Sequence, residues 1–393
     1  MGLVRAPAVT RPEPGAARGP GSKPHVCFVA PTAWPVLSGS TSIKVVGGAE
    51  VQQGFIARAL AQRGYRVSMI CHDYGQPERA VIDGITVHRA HRPDDGLPVV
   101  RFVHPRMTAM WQVLKKVGAD IYYQRTSDVL TTLVVLFCKR HRKHSVYAAA
   151  SDMDFVPGQE EIDLGRDRFI FRIGLRRADR IVVQNPGQQR QCRRAYGRES
   201  TLIPSCYVPP AGARADRAGY VLWVARMGES KRPELALEIA RRVPQHRFVI
   251  VGGPGDGGEA QFQAMAREAA KLPNVELTGF VPYANVDGYF NGARLLLNTS
   301  KFEGFPNTFL QGWSRGIPTV AFIDTESVED GEPVTGLARD ADDAAAKVAA
   351  LMSDDIAWHQ ASQRCLRHFR RVHSVEAMLI GYEHLLMSLG SRL

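Results

Sequence analysis

Tyr220-Val-Leu-Trp-Val-Ala-Arg226-Met-Gly-Glu-Ser-Lys231-Arg-Pro233 is the stretch that decides the architecture. Its first five residues are apolar, rich in Val and aromatic side chains, and do not alternate. That pattern reads as a strand buried on both faces. A short polar loop follows, and Pro233 suits the first turn of a helix. Strand, loop and helix in that order make half of a βαβ unit, the building block of a parallel sheet. Downstream, apolar runs at 247–251, 275–277, 295–297 and 319–322 repeat the pattern, with helical stretches at 233–242 and 259–271 between them. Upstream, runs at 25–30, 66–70, 85–88, 120–123, 145–148 and 180–183 form an earlier series. A helix is predicted over 51–60, where Val51, Phe55 and Ala59 recur at four-residue spacing and Gly64 follows as a stop.

Pro204-Ser-Cys-Tyr-Val-Pro-Pro-Ala-Gly-Ala213 separates the two series and has the composition of a linker. The expected plan is a leader (1–22), an N-terminal domain (23–205), a linker (206–218), a C-terminal domain (219–374) and a final amphipathic helix (375–393). The fold class is α/β: two doubly wound, Rossmann-like domains facing a central cleft. Ligands of such sheets bind at the C-terminal ends of the strands, so the site belongs in that cleft. A length of 393 residues suits two to three domains at roughly 150 residues each.

Composition excludes several classes. At 45% apolar and 23% charged, the chain is globular and not disordered. The longest apolar run, residues 129–138, is about half of the ~20 residues that a membrane span needs. The leader is rich in Pro and Gly and lacks the apolar stretch of a signal peptide. Six scattered cysteines without a Cys-x-x-Cys pair argue against zinc ribbons and disulfide frameworks and fit a reducing compartment. A cytoplasmic protein is expected. The net charge of +11 is uneven: residues 139–198 hold 14 Lys/Arg against 7 Asp/Glu. One cluster is Lys139, Arg140, Arg142 and Lys143; another is Arg166, Arg168, Arg172, Arg176, Arg177 and Arg180. Such a field attracts polyanions. Aromatic residues do not interleave with it as single-strand binding requires, so an anionic membrane at the inner face of the cell is the expected surface and nucleic acid is not.

Three clusters fall at strand ends. Gly47-Gly48-Ala49 opens a helix, where free N–H groups and the dipole favour an anion. Arg226 and Lys231 lie five residues apart in the loop after 220–224 and can converge on a diphosphate. The third is Asn298-Thr-Ser-Lys-Phe-Glu303-Gly-Phe-Pro-Asn307-Thr-Phe-Leu-Gln311, a Gly/Pro turn into a helix, with Gln311 one turn beyond Asn307.

Together these residues resemble the retaining, metal-independent glycosyltransferases of family 4, which have the GT-B fold. The likeness runs through Gly47-Gly48-Ala49-Glu50, Arg226 with Lys231, Gly252-Gly253, Leu277-Thr-Gly-Phe280-Val281 and the Glu303–Gln311 block. It implies a nucleotide-sugar donor, a glycan or lipid-linked acceptor, a role in polysaccharide or glycoconjugate synthesis, and no cofactor. By the same resemblance Arg226 and Lys231 hold the diphosphate and Glu303 contacts the donor sugar. Amides at Gly304, Phe305, Asn307 and Thr308 cradle the sugar and phosphates. The segment Gly279-Phe280-Val281-Pro282 borders the nucleobase, Gly253 belongs to the donor site, and Gly47 and Gly48 close from the other domain. The family's second acid is Gln311 here, which keeps an acceptor for ribose but loses the charge. No acceptor-side His matches; Asp152 and Asp154 are the candidates. Their Asp-x-Asp spacing would suit a metal, but the cations at 226 and 231 already fill that role. A nucleotide-sugar epimerase of similar form and a weakly active nucleotide-sugar-binding subunit remain as alternatives.

Overall fold

Buried runs of Val, Ile, Leu and aromatic residues assemble into two sheets in the computed structural model, which describes residues 22–39, 47–93, 95, 106–216, 219–255 and 258–391. The expected leader up to residue 21, Val46, linker residues 217–218 and the last two residues lie outside the described residues. The first sheet contains β1 (Val26–Val29), β2 (Val67–Cys71), β3 (Arg79–Ile82), β4 (Ile85–Arg89), β5 (Ile121–Arg125), β6 (His144–Ala148), β7 (Arg180–Val183) and β8 (Thr201–Leu202). Their order is β3-β4-β2-β1-β5-β6-β7-β8, all parallel except the β3–β4 hairpin. Asp83-Gly84 turns that hairpin with both residues at positive φ, 50° and 79°.

The second sheet contains β9 (Tyr220–Val224), β10 (Phe248–Val251), β11 (Val275–Gly279), β12 (Ala293–Asn298) and β13 (Thr319–Ala321). After a small hairpin, β14 (Val328–Glu329) with β15 (Glu332–Pro333), comes β16 (Thr335–Leu337) at the sheet edge. The order β11-β10-β9-β12-β13-β16 is parallel throughout. Helices α1 (Trp34–Ser38), α2 (Gly48–Gln62), α3 (Thr108–Val117), α4 (Val129–Arg140), α5 (Gly165–Arg177) and α6 (Pro186–Tyr196) belong to the first lobe. Helices α7 (Pro233–Arg242), α8 (Glu259–Ala269), α9 (Tyr283–Asn291), α10 (Asn307–Trp313), α11 (Ala341–Ser353) and α12 (Asp355–His368) belong to the second. Among the described residues no helix is long and apolar enough to cross a membrane.

The chain returns to the first lobe at its end. Helix α13 (Val375–Gly390) lays Met378, Leu379, Tyr382, Leu385, Leu386 and Leu389 into the core of Val26, Phe28, Ile121 and Tyr123. The Tyr382 and Tyr123 hydroxyls meet at 3.0 Å. Two chain segments therefore cross between the lobes, and they hold each other. His373 Nδ1 donates to the Ser205 carbonyl at 2.7 Å, and Tyr207 N–H donates to the His373 carbonyl at 3.3 Å. Burial pulls the His373 pKa down to about 3, so this ring is neutral at physiological pH.

In each sheet the strand order reverses beside the first strand of its lobe, between β1 and β5 and between β9 and β12. Loops leaving the C-terminal ends of strands at such a reversal diverge and leave a crevice. The loops carrying Arg226 and Glu303 leave β9 and β12, the two strands at the second reversal.

Leu386 is 1% exposed, so Leu386→Ala should cost about 3 kcal/mol, within the range for large-to-small core changes. Calorimetry on the full chain would check this; an unchanged melting profile would mean that α13 is not part of the first lobe's core.

Candidate active site

The loop after β9 is pinned to the loop after β12. Thr299 Oγ1 donates to the Lys231 carbonyl at 2.6 Å and accepts from Trp223 Nε1 at 2.8 Å. Lys301 N–H donates to the Ser230 carbonyl at 2.8 Å. Arg232 adopts a left-handed φ of 48°, and its Nε donates to the Thr299 carbonyl at 2.6 Å. These bonds bring Lys231 against Glu303, and the ammonium pairs with the carboxylate. Ser300 Oγ donates to the same carboxylate at 2.7 Å. Both charged side chains stay partly open, Lys231 at 28% and Glu303 at 18% exposure. Arg226 stands exposed two residues past β9. The next residue, Met227, exchanges backbone bonds with Gly253 and Gly255, at 2.9 and 2.8 Å. Gly253 in turn packs on Phe280, whose Cβ would lie 2.8 Å from any Cβ at 253. Phe280 itself is half exposed and Val281 is partly buried.

The first lobe meets this surface directly. Asp152 N–H donates to the Glu303 carbonyl at 3.2 Å, and Asn185 Nδ2 to the Gly304 carbonyl at 3.0 Å. A Cβ on Gly304 would sit 2.0 Å from the Ala150 carbonyl oxygen, so only glycine allows this approach. Asn307 Nδ2 donates to the Gly48 carbonyl at 3.1 Å, and Asn307 Oδ1 accepts from Gln52 Nε2 at 2.8 Å. Gly47 is the extended N-cap of α2, so the Gly47-Gly48 turn sits beside Asn307. Phe305 is buried against Phe309, Trp313 and His373, and Thr308 is partly buried. Gln311 is buried and its amide faces Asp287.

The two candidate acids at 152 and 154 separate clearly. Asp154 turns inward, accepting from Tyr147 Oη and Ala150 N–H at 2.8 Å each and from Ser151 N–H at 3.3 Å. It belongs to the capping box of the short helical turn at Asp152–Phe155. Asp152 sits at the seam, where Gln188 Nε2 and Asn185 Nδ2 reach its Oδ1 at 3.0 and 3.3 Å. Burial lifts its pKa to about 6, against the lowering effect of those two amides and with further pushes from the Asp154 and Glu303 charges.

A partly buried Lys231–Glu303 ion pair thus stands at the reversal of the second sheet, with the first lobe against it. The profile described as "Glycosyltransferase Family 4" matches residues 46–207, and "Glycosyl transferases group 1" matches residues 218–354. The chain belongs to the group 1/family 4 glycosyltransferases.

Relatives and solved structures are consistent with this family. The D-inositol 3-phosphate glycosyltransferases of Mycobacterium leprae and Mycobacterium tuberculosis are 27% and 26% identical over 162 residues, 37% of this chain. The matched part is 38% and 34% of their own lengths. Sucrose-phosphate synthase from Thermosynechococcus elongatus superposes with a TM-score of 0.75 at 18% identity, covering 94% of this chain and all of that one. Anabaena HepE in complex with UDP and glucose superposes at 0.68 and 15% identity, covering 93% and 100%. The GT-B fold of this glycosyltransferase is the one expected.

Several residues of the seam escape a linear reading. Gln52, Gln188, Ser300 and Asp287 are polar residues at unremarked positions, and only the chain's folding sets them beside Asn307, Asp152, Glu303 and Gln311. Asn185 carried a signal: Asn before Pro186 at a strand end is an N-cap, and its Oδ1 accepts from Gln188 N–H at 2.7 Å.

Gly304→Ala should leave the lobes folded but force them apart. Turnover should fall at least tenfold, and small-angle scattering should show expansion; full activity would mean the contact is dispensable. For Asp152 the direction is set by its raised pKa. Above about pH 6 the folded protein bears the cost of a buried charge, and below the ordinary carboxylate range it bears none. Asp152→Asn should therefore raise the unfolding free energy at pH 7.5, by on the order of 1 kcal/mol, with the gain gone near pH 4. A drop in stability at pH 7.5 would reverse the assignment.

Proposed function

We propose that this glycosyltransferase moves a hexosyl group from a nucleoside diphosphate sugar to a hydroxyl of a glycan or lipid-linked acceptor, with retention and without a metal. The observation that carries the proposal is the Lys231–Glu303 pair at the sheet reversal, held against Asp152 of the other lobe. Arg226 and Lys231 take the diphosphate, and their fixed charges stabilise it as it departs. Glu303, freed from Lys231 by the incoming phosphates, accepts hydroxyls of the donor sugar. Gly47 and Gly48 close over the phosphates, and the amides at Gly304, Phe305, Asn307 and Thr308 line the opposite wall. Gly253, Phe280 and Val281 border the base, and Gln311 receives the ribose. The HepE complex makes a uridine nucleotide the first donor to try.

Asp152 is the acceptor-side acid. Deprotonated above about pH 6, it can take a hydrogen bond and then a proton from the attacking hydroxyl. The acceptor arrives from a membrane surface. Leu136 on α4 and Leu164 and Phe169 at and within the start of α5 are exposed, and the same two helices carry the exposed Lys139, Arg140, Arg166, Arg176 and Arg177. Apolar tips among cations suit an anionic bilayer, and the protein works there from the cytoplasmic side.

Incubation with UDP-glucose, GDP-mannose and ADP-glucose, with and without a lipid extract, tests the donor. Glu303→Gln should lower kcat by on the order of 100-fold while nucleotide affinity changes less than about threefold, the pattern of an interaction made mainly in the transition state. Unaltered kcat, or equal loss of binding, would contradict the role of Glu303.

A further inference from the structure

Gln311 is held in one orientation by a residue outside every motif. Its Nε2 donates to Asp287 Oδ1 at 3.4 Å. The same oxygen accepts from Tyr207 Oη at 2.6 Å and from Arg315 Nη2 at 2.8 Å. Arg315 is fully buried, and its Nε and Nη1 are fixed by Asn291 Oδ1 and the Gln311 carbonyl, both at 2.9 Å. A carboxylate accepts only, so the amide must present its N–H side to Asp287. Gln311 Oε1 then faces away from Asp287, and it takes no hydrogen bond among the described residues.

Position 311 follows Asn307 by one helical turn. Asn307 meets Gly48 and Gln52, and Asp287 meets Tyr207, whose ring stands edge-on to Phe55 at 5.8 Å. The first turn of α10 therefore meets α2 through Asn307, and the next turn meets α9 through Gln311. An acid at 311 would stand beside the Asp287 carboxylate, where two negative charges oppose each other. Asp287 and Gln311 are a matched pair: the carboxylate stands on α9, and the amide is turned by it.

We propose that Asp287 is a positioning residue for the nucleotide: by taking the amide N–H side it leaves Gln311 Oε1 as the acceptor for a ribose hydroxyl. The proposal rests on the nucleotide-sugar reading of the cleft. It explains why an amide serves at 311 and predicts that the choice at 311 depends on the residue at 287.

Isothermal titration with UDP, ADP and GDP identifies the tightest nucleotide, which is then compared with its 2′-deoxy form. The unmodified protein should prefer the ribose form by about tenfold, the scale of one good hydrogen bond. Asp287→Ala should reduce that preference below about threefold, while Asp287→Asn, which keeps an accepting oxygen, should retain most of it. Gln311→Glu alone should weaken binding about tenfold, and Gln311→Glu with Asp287→Asn should restore it. The double variant guards against loss of fold, because a misfolded single variant cannot be rescued by a second change. A full ribose preference in Asp287→Ala, or Gln311→Glu binding undiminished beside Asp287, would overturn the role of Asp287 while leaving the donor site standing. If no nucleoside diphosphate binds the unmodified protein, the donor reading fails and this proposal fails with it.

Discussion

The backbone at Gly304 is the constraint on which the cleft depends. The Ala150 carbonyl occupies the place a side chain would take, and Asn185 and Asp152 bond the carbonyls of residues 304 and 303. The two loop carbonyls are thus satisfied across the seam, one by a backbone N–H and one by a side-chain amide, as a buried contact requires. The loop carrying Glu303 is shaped from both sides. From its own lobe it is tied to the Lys231 loop through Thr299 and Arg232; from the other it is capped by the end of β6 and the start of α6.

Electrostatics follow from that geometry. Lys231 and Glu303 neutralise each other where neither is fully solvated, so neither bears the full cost of an isolated buried charge. On the proposed reading, a diphosphate entering the cleft would bring negative charge to Lys231 and Arg226 and release the carboxylate. Across the seam Asp152 has lost much of its hydration, and two neutral amides cannot offset that loss. Two acids thus face each other with different partners, one matched to an ammonium and one to amides. Such inequality lets neighbouring carboxylates serve different roles at one pH.

Much of the fold was legible because parallel strands buried on both faces have to be apolar runs. Those at 25–30, 66–70, 220–224 and 295–297 each mark a strand that the structure contains. Strand β3 was passed over because it is an edge strand with alternating exposure, although the Asp83-Gly84 turn announced its hairpin. The contact of Lys231 with Glu303 was foreshadowed by their places after buried strands. The seam was not legible, because Gln52 with Asn307 and Gln188 with Asp152 are pairings of ordinary polar residues that only closure brings together. Of the basic cluster on α5, Arg172 pairs inward with Glu160 and Arg168 bonds the Ile162 carbonyl. Sequence counts charges but cannot tell which of them face outward.

A crystal structure of the protein with UDP or its tightest nucleoside diphosphate tests the central claim most directly. The diphosphate should lie between the Arg226 guanidinium and the Lys231 ammonium, with Gly47 and Gly48 over it and Glu303 turned away from Lys231. A nucleotide seated elsewhere would contradict it, for instance in the hollow of about 660 Å³ beside the linker, lined by Arg214, Ala215, Asp216 and Asn291.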